Sequence, residues 1–334
     1  MYYNFGVFIG RFQPPHLGHI HNINVALQQC KEVIICIGSS KIARNPKNPW
    51  TADEREQMIL SCFSKEEQKR LYFIHLQDHL YNDNAWLAQV QSGIHSIIGD
   101  DENVVLIGHD KDKTTFYLKW FPQWKFLDTG NYKNISATAI RFEYFHNQQW
   151  ELFVHDNIKD FLEEFRHTQE FEYLSQELDY YIDYKNRWAT VPYAVNFVTV
   201  DAVVHCYGHV LLIKRGRIPG KGLYAMPGGF LETTELIKDG VLRELKEETC
   251  IKVSNTILEK SLVSTHVFDH PQRSLRGRII TNAFYYDLKG INDKPKVRGA
   301  DDAAEAEWVS LDWVLEHPEM FFEDHYHILD YFLF

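Results

Sequence analysis

An apolar run, Phe5 to Ile9, ends at Gly10-Arg11-Phe12-Gln13-Pro14-Pro15-His16-Leu17-Gly18-His19. Apolar residues then recur at helical spacing from Ile20 to Leu27. A buried strand that turns directly into a helix restricts the chain to α/β architectures. Two prolines stiffen the turn, and Gly18 lets backbone approach a ligand closely. His16 and His19 fall about one turn apart at the helix start, where free N–H groups and the positive dipole end attract phosphate. Two imidazoles there can donate to phosphate oxygens; a metal pair or a satisfied core is the plainer reading of the same spacing.

The alternation continues to about residue 150. Phe5–Ile9, Val33–Gly38, Leu71–Leu76 and Val104–Gly108 read as strands, and residues 18–30, 52–63 and 84–98 as helices. This predicts a doubly wound parallel sheet, with ligands bound beyond the carboxyl ends of its strands.

The string Gly10 to His19 resembles the GRFQPxHxGH form of the HxGH signature of nucleotidyltransferases, as seen in nicotinamide-mononucleotide (NMN) adenylyltransferases. Three further stretches resemble the same family. Asn45-Pro46-Lys47-Asn48-Pro49-Trp50-Thr51 with Glu54-Arg55 is similar to its NPFTxxER segment, with Trp50 in place of Phe. Thr51 or Asp53 is a candidate cap for the next helix. Asn82-Asp83-Asn84-Ala85-Trp86 opens a helix, and Ile135-Ser136-Ala137-Thr138-Ala139-Ile140-Arg141 resembles ISxTxxR. The resemblance implies an ATP site built on Gly10, Arg11, Phe12, Gln13, His16 and His19. Ser136, Thr138 and Arg141 would form a second phosphate cradle. Lys47 would face the mononucleotide phosphate, with Asn84 and Trp86 on the nicotinamide. Gly108-His109-Asp110 has a counterpart near the adenine in the family and receives no role here.

Residues 151–190 read as a polar helical linker between domains 1–150 and 191–334. From Lys159 to Arg187 eight acidic residues face four basic ones, the opposite of a DNA-reading helix.

The remainder changes character. Val195–Val204 and Val210–Lys214 are β-rich, with Tyr207-Gly208 as the turn. Pro227-Gly228-Gly229-Phe230 leads to Glu235, and Arg243-Glu244-Leu245-Lys246-Glu247-Glu248-Thr249-Cys250-Ile251 follows. Glu244, Glu247 and Glu248 share one helix face. They repel one another unless a cation joins them, and oxygen-only ligands suit Mg²⁺ or Mn²⁺; a solvated acidic face is the plainer reading. The spacing resembles the Nudix box, G-x5-E-x7-REUxEExGU, with Cys250 replacing its last glycine. The resemblance implies an α/β/α domain with a mixed sheet. It also implies metal held by Glu244, Glu247, Glu248 and the Gly228 carbonyl, and an ion pair between Glu235 and Arg243. Leu211–Gly216, Pro219–Met226 and Arg273-Ser274-Leu275-Arg276-Gly277-Arg278 resemble the ADP-ribose pyrophosphatase branch, which points to Arg276 for substrate. Glu305 and Asp302 are the candidate general bases, and Glu307 is expected to start a strand.

The resemblances together imply a bifunctional enzyme of NAD metabolism. One half would join NMN to the AMP of ATP, giving NAD and pyrophosphate; the other would cleave ADP-ribose. Alternatives are nicotinate mononucleotide or phosphopantetheine as acceptor, another nucleoside diphosphate for the Nudix half, and a sensor that binds ADP-ribose without cutting it. The net charge of −11 argues against nucleic acid. No apolar run approaches a membrane span and no signal pattern opens the chain. Five scattered cysteines suit reduced thiols in the cytoplasm and no zinc site. A homo-oligomer is compatible with this reading, which does not fix the oligomeric state.

Overall fold

The computed structural model describes residues 2–101, 103–109 and 120–334. The chain divides into two compact units, Met1–Ser175 and Gln176–Phe334.

The first unit runs β1 (Tyr3–Gly10), α1 (Leu17–Gln29), β2 (Cys30–Ser40), α2 (Ala52–Ser61), the single turn α3 (Lys65–Gln68), β3 (Leu71–Gln77), α4 (Asp83–Ile98), β4 (Val104–Gly108), β5 (Lys125–Asp128), α5 (Ala137–Phe145) and α6 (Asp156–Phe165). Its five strands are parallel, in the order β3-β2-β1-β4-β5. Alternate strand residues serve opposite faces, as the pleat requires. Phe8, Val33, Ile35, Ile37, Val105 and Ile107 pack with α1, α2, α5 and α6. Val7, Ile9, Ile34, Cys36, Val104 and Leu106 pack with Val90 and Ile94 of α4. The doubly wound sheet expected from the alternation is present. The expectation omitted β5, a mostly exposed four-residue edge strand without an apolar pattern.

Trp150, Val154, Ile158, Leu162, Phe165 and Leu174 lie in the first core. The stretch read as the start of a linker therefore packs with the first unit. The division between units falls inside α7 (Gln169–Asn186).

The second unit continues with β6 (Asn196–Cys206), β7 (His209–Arg215), β8 (Tyr224–Ala225), β9 (Gly228–Phe230), α8 (Ile237–Thr249), α9 (Asn255–Lys260), β10 (Leu262–Phe268), β11 (Arg278–Asp287), β12 (Ala303–Ser310), α10 (Leu311–Glu316) and α11 (His325–Leu333). Its mixed sheet has the order β10-β11-β6-β7-β12, with β8 on β7 and β9 on β6. Only β6 and β11 pair in parallel among these contacts. Val241, Leu242 and Leu245 of α8 pack on Val200, Ala202 and Val204 of β6. Phe332 of α11 meets Phe268 and Tyr285 of β10 and β11. Tyr207 and Gly208 both adopt positive φ, as a tight hairpin turn requires. Among the described residues no helix is long and apolar enough to cross a membrane.

Candidate active sites

The first site lies where β1 ends. Phe12 takes the left-handed conformation (φ 53°) and folds its ring over Gly10, where a Cβ would sit 2.9 Å from it. The ring is buried, edge-on to Phe8 at 5.3 Å and to His19 at 4.8 Å. Gln13 is buried too: its amide donates to the Trp50 carbonyl (2.8 Å) and accepts the Trp50 N–H (3.2 Å). Both residues were expected to meet substrate; their side chains are turned inward and hold the turn on the protein, and Arg11 is the exposed side chain of the four. Gly18 likewise serves the protein, since a Cβ there would press on the His16 ring at 3.1 Å.

His16 is the N-cap of α1, and its ring stacks on that of His19 with centroids 3.7 Å apart. The His16 backbone N–H donates to His19 Nδ1 at 3.2 Å. That bond assigns the remaining ring proton of neutral His19 to Nε2.

Beneath the turn lies Arg55, a side chain with no solvent exposure. It donates to the carbonyls of Arg11, Gly38 (2.7 Å), Ser39 (3.0 Å) and Thr51 (3.0 Å). It thereby ties the ends of β1 and β2 to the start of α2, whose cap is a Thr51–Glu54 capping box. Arg141 of α5 donates to the Gln13 carbonyl (2.5 Å) and to Thr138 Oγ1 (3.3 Å). Burial, with the Arg11 charge as a second cause, lowers Arg141 to about 10 and Lys47 to about 8. Arg11, Lys47 and Arg141 thus form a group of mutually repelling cations suited to several phosphates. Ser136 is the N-cap of α5 by position, but its hydroxyl makes no capping bond; Ser136 and Thr138 are exposed. Asn82 caps α4, Asn84 is exposed and Trp86 stands edge-on to Trp120 at 6.1 Å. His109 pairs with Asp128 at 2.9 Å, and Asp110 lies outside the described residues.

The second site forms where α8 meets β9. The Gly228 N–H donates to Glu248 Oε2 at 2.9 Å. A Cβ on Gly229 would lie 2.5 Å from the Glu244 carboxylate, and one on Gly228 would overlap the Val200 carbonyl. Gly229 is therefore needed for the close approach of strand and helix, and Gly228 for that of β9 and β6. Arg243 bonds Glu235 (2.6 Å), Glu244 (2.9 Å) and Glu247 (2.9 Å). Its hydrogen bond holds Glu235 down to about 2. Burial, with the Glu244 charge as a lesser cause, pushes Glu248 up to about 8. Buried Asp201, paired with Gly228 across β6 and β9, is raised by desolvation to about 6. Cys250 closes α8 in the left-handed region (φ 48°, ψ 28°), the conformation expected of the glycine it replaces.

The donor set fits a hard divalent ion: all oxygen, mutually repelling, with one carboxyl strongly desolvated. Among the described residues no three such groups converge into a finished coordination shell. Arg243 draws Glu244 and Glu247 to itself, while the Gly228 N–H holds Glu248.

Glu305 lies within β12, opposite Lys214, with its carboxylate 3.4 Å from Lys214 Nζ. The strand begins at Ala303, ahead of the expected Glu307. Asp302 pairs with Arg217 at 2.8 Å. The acid of this stretch whose charge reaches Glu244 is Asp301. Its loop is anchored to α8 through Arg298 N–H to the Thr249 carbonyl (2.8 Å) and Ala300 N–H to the Glu248 carbonyl (3.1 Å). Arg276 is paired with Glu323 (3.0 Å) and lies 5.6 Å from the Phe230 and Phe322 rings. Arg215 stacks on Phe322 at 4.1 Å. Sequence reasoning gave Asp201, Arg215 and Asp301 no role. An acid in the middle of the apolar run Val198–Val204 was the available signal for Asp201.

Comparison with known proteins agrees with this division. Residues 7–143 match the cytidylyltransferase-like family and residues 195–332 the NUDIX domain. The nicotinamide/nicotinic acid mononucleotide adenylyltransferase of Acinetobacter baylyi is 41% identical over 176 residues, 52% of this chain and 93% of that protein. An ADP-ribose pyrophosphatase of Methanocaldococcus jannaschii is 38% identical over 136 residues, 40% of this chain and 72% of that protein. A crystal structure of a bifunctional NMN adenylyltransferase/ADP ribose pyrophosphatase from Francisella tularensis, complexed with AMP and Mn ion, superimposes with a TM-score of 0.94. It is 35% identical and covers 99% of this chain and 98% of its own. With both sites carried on one chain and matched along nearly its whole length, this protein belongs to the family of bifunctional NMN adenylyltransferase/ADP-ribose pyrophosphatases.

Proposed function

We propose that the first unit transfers the adenylyl group of ATP to NMN, and that the second hydrolyses ADP-ribose to AMP and ribose 5-phosphate. In the first reaction an oxygen of the NMN phosphate bonds to the α-phosphorus of ATP. The bridging P–O bond breaks, and its electron pair leaves with pyrophosphate. The protein supplies positioning and charge stabilisation. His19 donates from Nε2 to the α-phosphate, and His16, stacked on it, lines the same phosphate. Arg11 and Arg141, with the start of α5 at Ser136 and Thr138, receive the departing phosphates. Lys47 takes the acceptor phosphate, and Asn84 and Trp86 the nicotinamide. The stacked imidazoles, together with the mutually repelling Arg11, Lys47 and Arg141 of the same unit, carry this reading.

In the second unit Glu244, Glu247, Glu248 and the Gly228 carbonyl would hold Mg²⁺, with Mn²⁺ as a substitute. The ion would neutralise the diphosphate and make water a stronger nucleophile. Water attacks one phosphorus, and the bridging oxygen departs with the other phosphate. Glu305 takes the proton of that water once Lys214 releases it. Asp301, whose charge already reaches Glu244, favours a second assignment for this base. Five thiols that are unpaired in the structure suit a cytoplasmic setting.

Purified protein with Mg²⁺ should form NAD and pyrophosphate from ATP and NMN, and AMP and ribose 5-phosphate from ADP-ribose. Nicotinate mononucleotide, offered in parallel, tests the preference for the amide. Failure to form either product pair would overturn the corresponding half.

A further inference from the structure

We propose that Glu323, in the turn ahead of α11, is a positioning residue for hydrolysis: it holds the Arg276 guanidinium at the end of β9 for the diphosphate of the substrate. The inference rests on the hydrolytic reading above and adds a residue that acts through Arg276.

Arg276 belongs to the segment between β10 and β11. Its guanidinium lies 5.6 Å from the ring of Phe230, the residue that follows Gly228 and Gly229. Its charge reaches buried Asp201, which pairs with Gly228 across β6 and β9. A cation here stands beside the backbone on which Glu244 and Glu248 pack. The diphosphate is the charged part of ADP-ribose, and a planar guanidinium suits its oxygens.

An unrestrained arginine is spread over many rotamers, and ordering it on binding costs affinity. Glu323 removes that freedom in advance. Its Oε2 accepts Arg276 Nη2–H at 3.0 Å, and its Oε1 accepts the Ser274 hydroxyl at 2.5 Å. Ser274 Oγ in turn accepts Arg276 Nε–H at 3.2 Å. The three side chains close a ring of hydrogen bonds. That ring engages only Nε and Nη2; among the described residues Nη1 bonds no protein atom.

Glu323 is itself firmly placed. Its backbone is left-handed (φ 47°), a region unfavourable for a residue with a β-carbon. The turn is tied to β8 on either side. The Phe322 N–H donates to the Tyr224 carbonyl (2.9 Å), and His325 Nδ1 accepts the Met226 N–H (3.1 Å). A strained backbone that turns a buried carboxylate onto one arginine points to a task beyond joining two segments. The neighbouring pair already joins them: Arg273 meets Asp324 through two bonds of 2.8 Å, with both side chains almost wholly buried. What Glu323 adds is the placement of Arg276.

The test reads kcat and KM for ADP-ribose with Mg²⁺. Glu323→Gln keeps the size of the side chain and removes its charge. It should raise KM about tenfold and change kcat by less than about twofold. Ser274→Ala, which keeps both charges and opens the ring of hydrogen bonds, should also raise KM. In an Arg276→Met background Glu323→Gln should have no further effect on KM, because it acts through Arg276. Effects that multiply in the double variant would overturn the inference. So would an unchanged or lowered KM in Glu323→Gln, or a loss carried by kcat, which marks a structural disturbance. If Glu323→Gln does not fold, Ser274→Ala decides by the same criteria. If wild-type protein cleaves no ADP-ribose, the hydrolytic reading fails separately. Equilibrium binding of ADP-ribose to the same variants then decides the role of Glu323: unchanged affinity overturns it, and about tenfold weaker affinity supports it.

Discussion

His19 Nδ1 accepts the backbone N–H of His16 while the two imidazoles stack at 3.7 Å. One ring nitrogen of His19 thereby holds the turn, and in the proposed mechanism the other donates to phosphate. His19→Ala should lower NAD formation by at least about 100-fold. ADP-ribose hydrolysis, measured on the same preparation, should persist. Loss of both activities would contradict the assignment of the two reactions to separate units.

Lys47 should give NAD synthesis an alkaline limit. Its folded pKa of about 8 lies below the ordinary lysine value, because burial and Arg11 disfavour the cation. The charge that would bind the acceptor phosphate is present below about pH 8 and lost above it. The KM for NMN should rise about tenfold per pH unit beyond that point. Lys47→Met should have a raised KM that no longer changes over that range.

Arg55 is expected to matter although it meets no ligand in the proposed mechanism. Arg55→Met would strand the carbonyls of Arg11, Gly38, Ser39 and Thr51. The first unit should lose at least about 3 kcal/mol, seen as a lower melting temperature. The second unit's hydrolysis, assayed below that temperature, should continue.

Glu248→Gln keeps an oxygen for the Gly228 N–H but removes a carboxylate from the proposed metal site. ADP-ribose hydrolysis should fall at least about 100-fold, and a chelator should abolish it in the wild type. NAD formation by Glu248→Gln should match the wild type. Comparing Glu305→Gln with Asp301→Asn then identifies the base, as the variant with the larger loss of kcat.

Cys250→Gly should stabilise the second unit by about 0.5–1 kcal/mol, because a β-carbon is strained at φ 48°. Denaturant unfolding reads this directly.

Much of this was legible in the sequence. The strand-to-helix turn, the parallel sheet, the carboxylate face of α8, the Glu235–Arg243 pair and the left-handed Cys250 all follow from spacing or resemblance. The inward turn of Phe12 and Gln13 was not legible, because a motif gives residue identity and leaves orientation open. Glu305 was read as a loop acid because its pairing with Lys214 depends on the β7–β12 register, which joins residues far apart in the chain. Val154 to Phe165 read as linker because apolar partners such as Trp50 and α2 lie about a hundred residues earlier in the chain.

Arg243 sets one positive charge against two carboxylates of α8, Glu244 and Glu247, and against Glu235 ahead of the helix. Part of the repulsion among these acids is therefore relieved within the protein itself. A divalent ion at this helix would have to compete with that guanidinium for Glu244 and Glu247, so hydrolysis would follow the supply of ion.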